Sequence, residues 1–371
     1  MRIESLKEAV WEIKDPRRPW GNLRHKLEEI VIIGLCTIIC GGEDFDDMEE
    51  FGVEREEWLR EFLELPNGIP GDDTFRRVFE RLIPAQLSVC LGEWLGANRK
   101  ESKQTVNIDG KTICGRANAQ HSAFHVVSAW VAEHEITLGE LAVAEKTNEI
   151  TAIPQLLDML DIAGDTVTTD AMGCQKAIAK KICEKQADYV LALKGNQPNL
   201  YEDVRQYFEA AAQKPHFYEE VTKTVTSEKG HGRFEKRFYY LSDDIGWLEQ
   251  RLDWKGLRAI GAVRSLVEEK SVVREETRYY ITTLVDANDF ANAVRAHWSI
   301  ENQLHWMLDV VFREDAARAH KDNSPLNINV LRKAALSLLK TADLGRQLSI
   351  RKKMLKAALN PLVLHKVLFQ N

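Results

Sequence analysis

The sequence predicts an α/β protein led by an all-helical domain and closed by further helices. Three observations predict it. Apolar residues recur at helical spacing through the first hundred positions, short β-branched runs alternate with helix-like stretches from about residue 104, and residues 217–285 are rich in strand formers before helical spacing returns. The chain of 371 residues therefore divides into a helical N-terminal domain, 1–100, and an α/β domain, 101–371. The α/β domain carries a β-rich insertion at about 215–285 and a basic helical end at about 325–371.

In the first domain, "IVIIGLCTIICGG" (Ile30–Gly42) follows Glu28 and Glu29 and covers thirteen positions, too few to span a bilayer. It reads as a buried helix. "EEWLREFLEL" keeps helical spacing until "PNGIPGDD" breaks it, and Asp72 or Asp73 then caps "TFRRVFERLI". Phe75, Val78, Phe79 and Leu82 form one face of that helix, with Arg76, Arg77 and Arg81 off it. Two helices around a Gly-containing turn read either as a helix-turn-helix, with Arg76 and Arg77 against DNA, or as a plain helical hairpin.

In the second domain "TVNIDG" and "DTVTTDAMG" are strand-like runs that each reach an aspartate, Asp109 and Asp170, before a turn. "ADYVLALKGNQ" is a third strand, and "CQKAIAKKICEKQ" a helix between the second and third. Strand, helix, strand implies a parallel crossover, which places Asp170 at the carboxyl end of its strand. "FHVVSAWVAEHEITLGELAVAE" supplies an antiparallel meander. The insertion reads as a hairpin around Gly230–Gly232 followed by "LRAIGAVRSLVEE" and "TRYYITTL".

Composition narrows the function classes. The start, "MRIESLKEAVWEIKD", shows no export signal, and the chain is expected to be cytoplasmic. Cys36, Cys40, Cys90, Cys114, Cys174 and Cys183 are scattered without a Cys-x-x-Cys pair, which argues for reduced core thiols rather than disulfides or a zinc ribbon. The net charge of −7 is unevenly spread. Residues 41–60 carry nine acids against Arg55 and Arg60, whereas residues 313–371 carry twelve Lys and Arg against four acids. The basic end points to a polyanion partner or, for "SIRKKMLKAAL", to a solvated helix face; the acidic stretch from Glu43 to Glu57 reads as solvated helix surface.

"HWSIENQLHWMLDVVFREDAARAH" (297–320) reads as helix. Ile300, Leu304, Met307, Leu308 and Val311 make one apolar stripe, and His297, Glu301, His305 and Asp309 follow one another every fourth residue at its edge. Asp109, Asp170 and Glu301 thus become candidates for one site. An all-carboxylate set suits Mg²⁺, which takes hard oxygen ligands and leaves positions for phosphate oxygens. Two such ions roughly 4 Å apart can serve both sides of a phosphodiester under attack. Zinc would favour His and Cys in spacings absent here.

"NIDGKTICG", "VAEKTNEITAIPQLL", "TTDAMGCQKAIA", "DYVLALKGNQ", "GHGRFEKR" and "RAHWSIENQLHWMLDVVFREDA" resemble, in order, the signature blocks of the H-repeat-associated, ISAs-type transposases of bacterial insertion sequences, members of the DDE superfamily. "LEEIVIIGLCTIICGGEDFDDMEEFG" and "LPNGIPGDDTFRRVF" resemble the helical domain that precedes the catalytic domain there; the resemblance runs from about residue 20 to 365. It implies an RNase H-like catalytic domain with a β-rich insertion, and catalytic, metal-ligating residues at Asp109, Asp170 and Glu301. It also implies two Mg²⁺ ions, replaceable by Mn²⁺. His297 stands where the wider group often has Arg, and Leu308 where it has Lys, which keeps Asp309 as a rival third ligand; His297 and His305 flank the ligands. The implied reaction is hydrolysis at each element end, releasing a 3′-hydroxyl that attacks target DNA in line. Partners implied are double-stranded DNA, as terminal inverted repeats and target, and a second copy of the chain in the DNA complex, with the protein on the nucleoid when bound. Lys111, Lys194, Asn196, His231 and Arg233 would grip phosphates, or serve as ordinary turn polarity. Trp298 and Trp306 are expected to pack in the core, with stacking on a displaced base as the alternative. Two other classes remain, a metal-dependent nuclease without strand transfer and a catalytically silent DNA-binding protein derived from a transposase.

Overall fold

The computed structural model describes residues 2–18, 23–96, 103–113, 124–143, 149–213, 221–230, 233–269 and 272–369. Helices α1 (Arg2–Trp11), α2 (Leu27–Cys40), α3 (Phe45–Glu54), α4 (Glu56–Leu59), α5 (Asp72–Arg81) and α6 (Pro84–Leu95) come first. Strands β1 (Thr105–Ile113), β2 (Phe124–Val131) and β3 (Ile136–Val143) follow, then α7 (Glu149–Asp158), β4 (Thr166–Thr169), α8 (Lys176–Glu184), β5 (Asp188–Leu193) and α9 (Pro198–Ala211). The insertion holds β6 (Thr222–Gly230), β7 (Arg233–Ser242), β8 (Ala259–Glu269) and β9 (Val272–Thr282). The chain ends with α10 (Ala287–Ile300), a π turn (Glu301–His305), α11 (Trp306–Val310), α12 (Ser324–Thr341), α13 (Ile350–Leu359) and α14 (Pro361–Phe369). No helix among the described residues is long and apolar enough to cross a membrane.

Residues 1–102, 110–146 and 300–371 form one compact unit. Its centre is helical. Twelve of the fourteen residues of α2 and sixteen of the eighteen of α12 are buried, so both are enclosed on every side rather than amphipathic. The N-terminus of α2 is closed by Glu29, whose carboxylate accepts from Lys26 N (2.9 Å) and Leu65 N (2.9 Å), and Gly41 ends it at φ +96°. Ile30–Ile39 pack with Phe75, Phe79, Leu331 and Leu338, and Ile300, Leu304, Leu308 and Phe312 join the same core. Helix α6 lies close on the β2–β3 hairpin, where a Cβ at Gly92 would come within 2.2 Å of the Leu138 carbonyl oxygen. From α12, buried Lys333 ties the hairpin down through Ser128 Oγ (2.7 Å) and a short contact to Glu140.

Residues 103–109 and 147–299 form the other unit, a mixed sheet in the order β1-β4-β5-β9-β8-β7-β6. The pairs β1–β4 and β4–β5 are parallel; the rest are antiparallel. Helix α8 makes the expected parallel crossover, and the β6–β7 hairpin closes with Gly230 opposite Arg233. Helix α10 packs on the sheet through Phe290 and Val294, against Tyr239, Val263 and Tyr280. Helices α7 and α9 were not anticipated by the sequence reading.

Several expectations need correction. The N-cap of α5 is Gly71, and Asp72 and Asp73 lie inside its first turn rather than capping it. The 297–320 helix is interrupted after Ile300, and in the π turn Trp306 N–H bonds to Glu301 O, five residues back. Trp306 is 53% exposed and does not pack in a core. The basic end is partly an internal feature, because Arg332, Lys333 and Lys353 are all buried. Lys353 Nζ donates to the carbonyls of Leu339 (2.7 Å) and Ala342 (2.7 Å) at the end of α12, where a helix leaves acceptors unsatisfied.

Candidate active site

In the sheet unit, β1 and β4 run in register from Thr105 opposite Thr166 to Ile108 opposite Thr169. Asp109 is the next residue of β1, which runs on to Ile113, and Asp170 is the first residue after β4. The two aspartates therefore follow the paired positions of neighbouring parallel strands whose backbones lie roughly 5 Å apart; the expected turn follows Asp170 but not Asp109. Asp109 is half-buried and Asp170 exposed. The "TDAMG" turn aims Asp170: its Oδ1 accepts from Met172 N (2.9 Å) and Gly173 N (3.2 Å). Position 173 has to be glycine, because a Cβ there would lie 2.6 Å from the Thr169 side chain. Asn196 Nδ2 donates to Ala171 O (2.6 Å), tying the loop after β5 to this turn.

Below the carboxylates lies a polar network that the sequence reading missed. Thr168 Oγ1 donates to Asn107 Oδ1 (2.7 Å) and sits 2.9 Å from His297 Nδ1. A hydroxyl has one proton. With that proton given to Asn107, the hydroxyl accepts from His297, which makes the neutral ring the Nδ1–H tautomer. Burial holds the His297 pKa down at about 4, against the upward pull of Asp170 and with a further downward push from Arg278. The ring is therefore neutral at pH 7. A signal for Asn107 and Thr168 was present, since each lies two residues before a candidate aspartate and so on its strand face. Trp298, next along α10, packs against the core and is covered by Arg237 (4.3 Å to the ring centre) and Arg278 (5.3 Å).

The helical unit holds the other candidates. Glu301 opens the π turn with its side chain 75% exposed, and His305 Nδ1, buried one turn on, lies 3.3 Å from its Oε2. Asp309 is engaged elsewhere: its Oδ1 receives Lys111 Nζ at 2.6 Å, and the same ammonium makes a short contact to Glu314. Glu314 is fully buried, and its Oε1 has no hydrogen-bond partner among the described residues. Carboxylate oxygens of Asp309, Glu314 and Asp315 all lie within 4.8 Å of one another. Burial alone would lower the Lys111 pKa, but Glu314 and Asp309 together hold it above the ordinary lysine value. The ammonium is thus a charged bridge between two carboxylates.

The residues expected to meet DNA fare differently. Lys111 has its side chain 14% exposed and is committed to acids. Lys194 and Asn196 are exposed. Arg76 and Arg77 are paired along α5, Arg77 with Asp73 (3.0 Å) and Arg76 with Asp73 and Glu80. Arg233 begins β7, and His231 lies outside the described residues.

The scaffold is a mixed α/β sheet with helices before and after it and two aspartates on neighbouring parallel strands, and comparison with known proteins gives the family. Residues 92–338 match the family described as "Transposase DDE domain", and residues 7–95 the one described as "DDE_Tnp_1-associated". The chain belongs to the DDE-domain transposase family, with H repeat-associated members among its relatives. A relative from Escherichia coli O157:H7, "Putative transposase YncI", is 37% identical over 99% of this chain and 95% of its own length. "H repeat-associated putative transposase YhhI" of Escherichia coli strain K12 is 37% identical over 97% of this chain and 96% of its own. The cryo-EM structure of piggyBac transposase synaptic complex with hairpin DNA overlaps at a TM-score of 0.38, with 9% identity over 99% of this chain and 78% of that one. Family membership supports a transposase function.

Proposed function

We propose that the chain is an insertion-sequence transposase that cuts DNA at the element ends and joins the freed 3′-hydroxyl to target DNA, with Asp109, Asp170 and Glu301 holding two Mg²⁺ ions. The observation that carries this reading is the shared register of β1 and β4, which sets Asp109 and Asp170 beside one another on neighbouring parallel strands in a chain of this family. The donor set fits the ion: three carboxylates offer only hard oxygens, and Asp170 keeps its orientation through two backbone N–H groups rather than through a cation of its own. Glu301 is preferred over Asp309 as third ligand because its carboxylate is open to solvent, whereas Asp309 is bonded to Lys111. Mn²⁺, an ion of similar preference, would substitute.

When bound, the ions supply Lewis-acid polarisation of the phosphate and charge neutralisation at the attacking and leaving oxygens. The chain's own residues do the remainder. Asp109, within β1, and Asp170, at the end of β4, hold the acceptor positions fixed, and the Thr168–Asn107–His297 network keeps their supporting floor neutral and hydrogen-bonded. His305 steadies the Glu301 carboxylate. Lys194 and Asn196, on the exposed loop beside the "TDAMG" turn, contribute phosphate contacts without sequence readout. The same reading places residues 1–100 as the DNA-binding domain and 101–371 as the catalytic domain. It also gives a pair of chains in the DNA complex and a cytoplasmic, nucleoid-bound location.

Purified protein, wild type beside Asp109→Asn, is incubated with the DNA flanking its own gene in Mg²⁺ or EDTA. Magnesium-dependent cuts at inverted-repeat ends, absent from the variant, are expected. Specific binding without cutting by the wild type would instead leave a DNA-binding protein, and cutting without joining would leave a nuclease.

A further inference from the structure

We propose that Lys111 is a positioning residue for the metal site: its ammonium, shared by Asp309 and Glu314, fixes the segment 301–314, which carries Glu301, on the second half of β1. The inference rests on the function proposed above.

Three observations support it. Lys111 reaches two carboxylates that lie 198 and 203 residues away in sequence, on α11 and on the turn that follows, so one side chain pins two points of that segment. One half of the contact is sheltered: Glu314 is fully buried and the Lys111 side chain 14% exposed, which limits screening of that pair, while Asp309 is 39% exposed. The chain also accepts a cost to bring Glu314 inward, since Arg313 just before it adopts φ +50°, a left-handed conformation unfavourable for a long side chain. Along the sequence the bridge touches both candidate ligand segments. Lys111 is two residues after Asp109, and Asp309 is eight after Glu301.

Helix geometry makes the position of Glu301 sensitive to this anchor. The π turn 301–305 carries one residue more per turn than an α-helix, so its register depends on what holds each end. At the near end Ile300 and Leu304 are set in the helical core; at the far end the anchor is Leu308 in the core and Asp309 on Lys111. Releasing Asp309 lets the exposed Glu301 carboxylate swing, and frees a competing carboxylate for the cation.

A simpler role for Lys111 would be to neutralise the buried Glu314, and the two roles separate by experiment. The full-length protein is titrated with Mn²⁺, free ion being read by electron paramagnetic resonance, with thermal unfolding in parallel. The variants are Asp109→Asn, Lys111→Met with Glu314→Gln, and Lys111→Arg. The paired variant removes both charges at near-constant volume and is expected to unfold close to wild type while binding Mn²⁺ about tenfold more weakly, the usual loss when a group supporting a ligand is removed. Lys111→Arg keeps the charge but not the compact geometry, and should weaken binding about threefold. Wild-type Mn²⁺ affinity in both, with binding lost in Asp109→Asn, would reduce Lys111 to a neutraliser of Glu314 and overturn the proposal. Wild-type affinity in Asp109→Asn would instead overturn the metal-site reading itself. Should the paired variant fail to fold, Lys111→Arg alone decides, unchanged affinity counting against positioning.

Discussion

Asp109 and Asp170 owe their adjacency to hydrogen bonds made by residues with no chemistry of their own, the backbone ladder from Thr105 to Ile108. Removing either charge while keeping its volume, as Asp109→Asn or Asp170→Asn, leaves that ladder intact. Cleavage should fall by about a thousandfold or more, because metal-based charge stabilisation is worth several kcal/mol, while DNA affinity in a filter or gel assay stays near wild type. His297 gives a second residue-level prediction. Its folded pKa of about 4 lies below the unfolded value, so its contribution to stability is complete above about 6.5 and is lost as pH falls towards 4. Unfolding free energy against pH should show an extra slope of about 1.4 kcal/mol per unit in that window, absent in His297→Gln; equal slopes would mean the ring is not held neutral. Asp170 was legible in the sequence because its strand ends in an acid and a turn; Asp109 was read by the same pattern, although β1 runs past it to Ile113. The ring's partner was not, since a contact across 129 residues leaves no local pattern.

At the scale of elements, the strands were read from their β-branched runs and α2 from its unbroken apolar run, whereas α12 was read as part of a basic end because Arg332 and Lys333 lie inside it. Periodicity read 297–320 as one helix and so missed the π turn: a single inserted residue shifts the phase without removing the apolar positions, and Ile300, Leu304 and Leu308 remain buried either way. Charge was the poorest guide. "SIRKKMLKAAL" looked like a basic face, yet Lys353 within it points inward and closes the carboxyl end of α12. Lys353→Met should therefore cost about 2 kcal/mol, typical of hydrogen bonds from a charged donor, seen as a lowered melting temperature with DNA affinity at constant salt unchanged. A loss of affinity without destabilisation would restore the DNA-facing reading. Lys333→Met, which strands the buried Glu140, should cost about 3–5 kcal/mol, and Glu140→Gln added to it should recover part of that in the same unfolding experiment.

For the whole molecule the net charge of −7 gives little guidance, because acids and bases pair within the helical unit. Glu43 and Asp44 of the acidic stretch meet Arg313 (3.1 Å) and Arg318 (3.9 Å) from the basic end, so part of each local excess is spent on the other. What the sequence did carry at this scale was the order of its blocks, which placed the helical lead, the crossover strands and the β insertion before any contact was known. The central claim is that Asp109, Asp170 and Glu301 ligate the catalytic metal. It is tested most directly by replacing each in turn with cysteine and assaying cleavage of the element ends. A thiolate is a poor ligand for Mg²⁺ and a better one for the softer Mn²⁺, so each variant should be inactive in Mg²⁺ and regain activity in Mn²⁺. Cleavage that persists in Mg²⁺ after any of the three substitutions would show that the residue replaced is not a ligand.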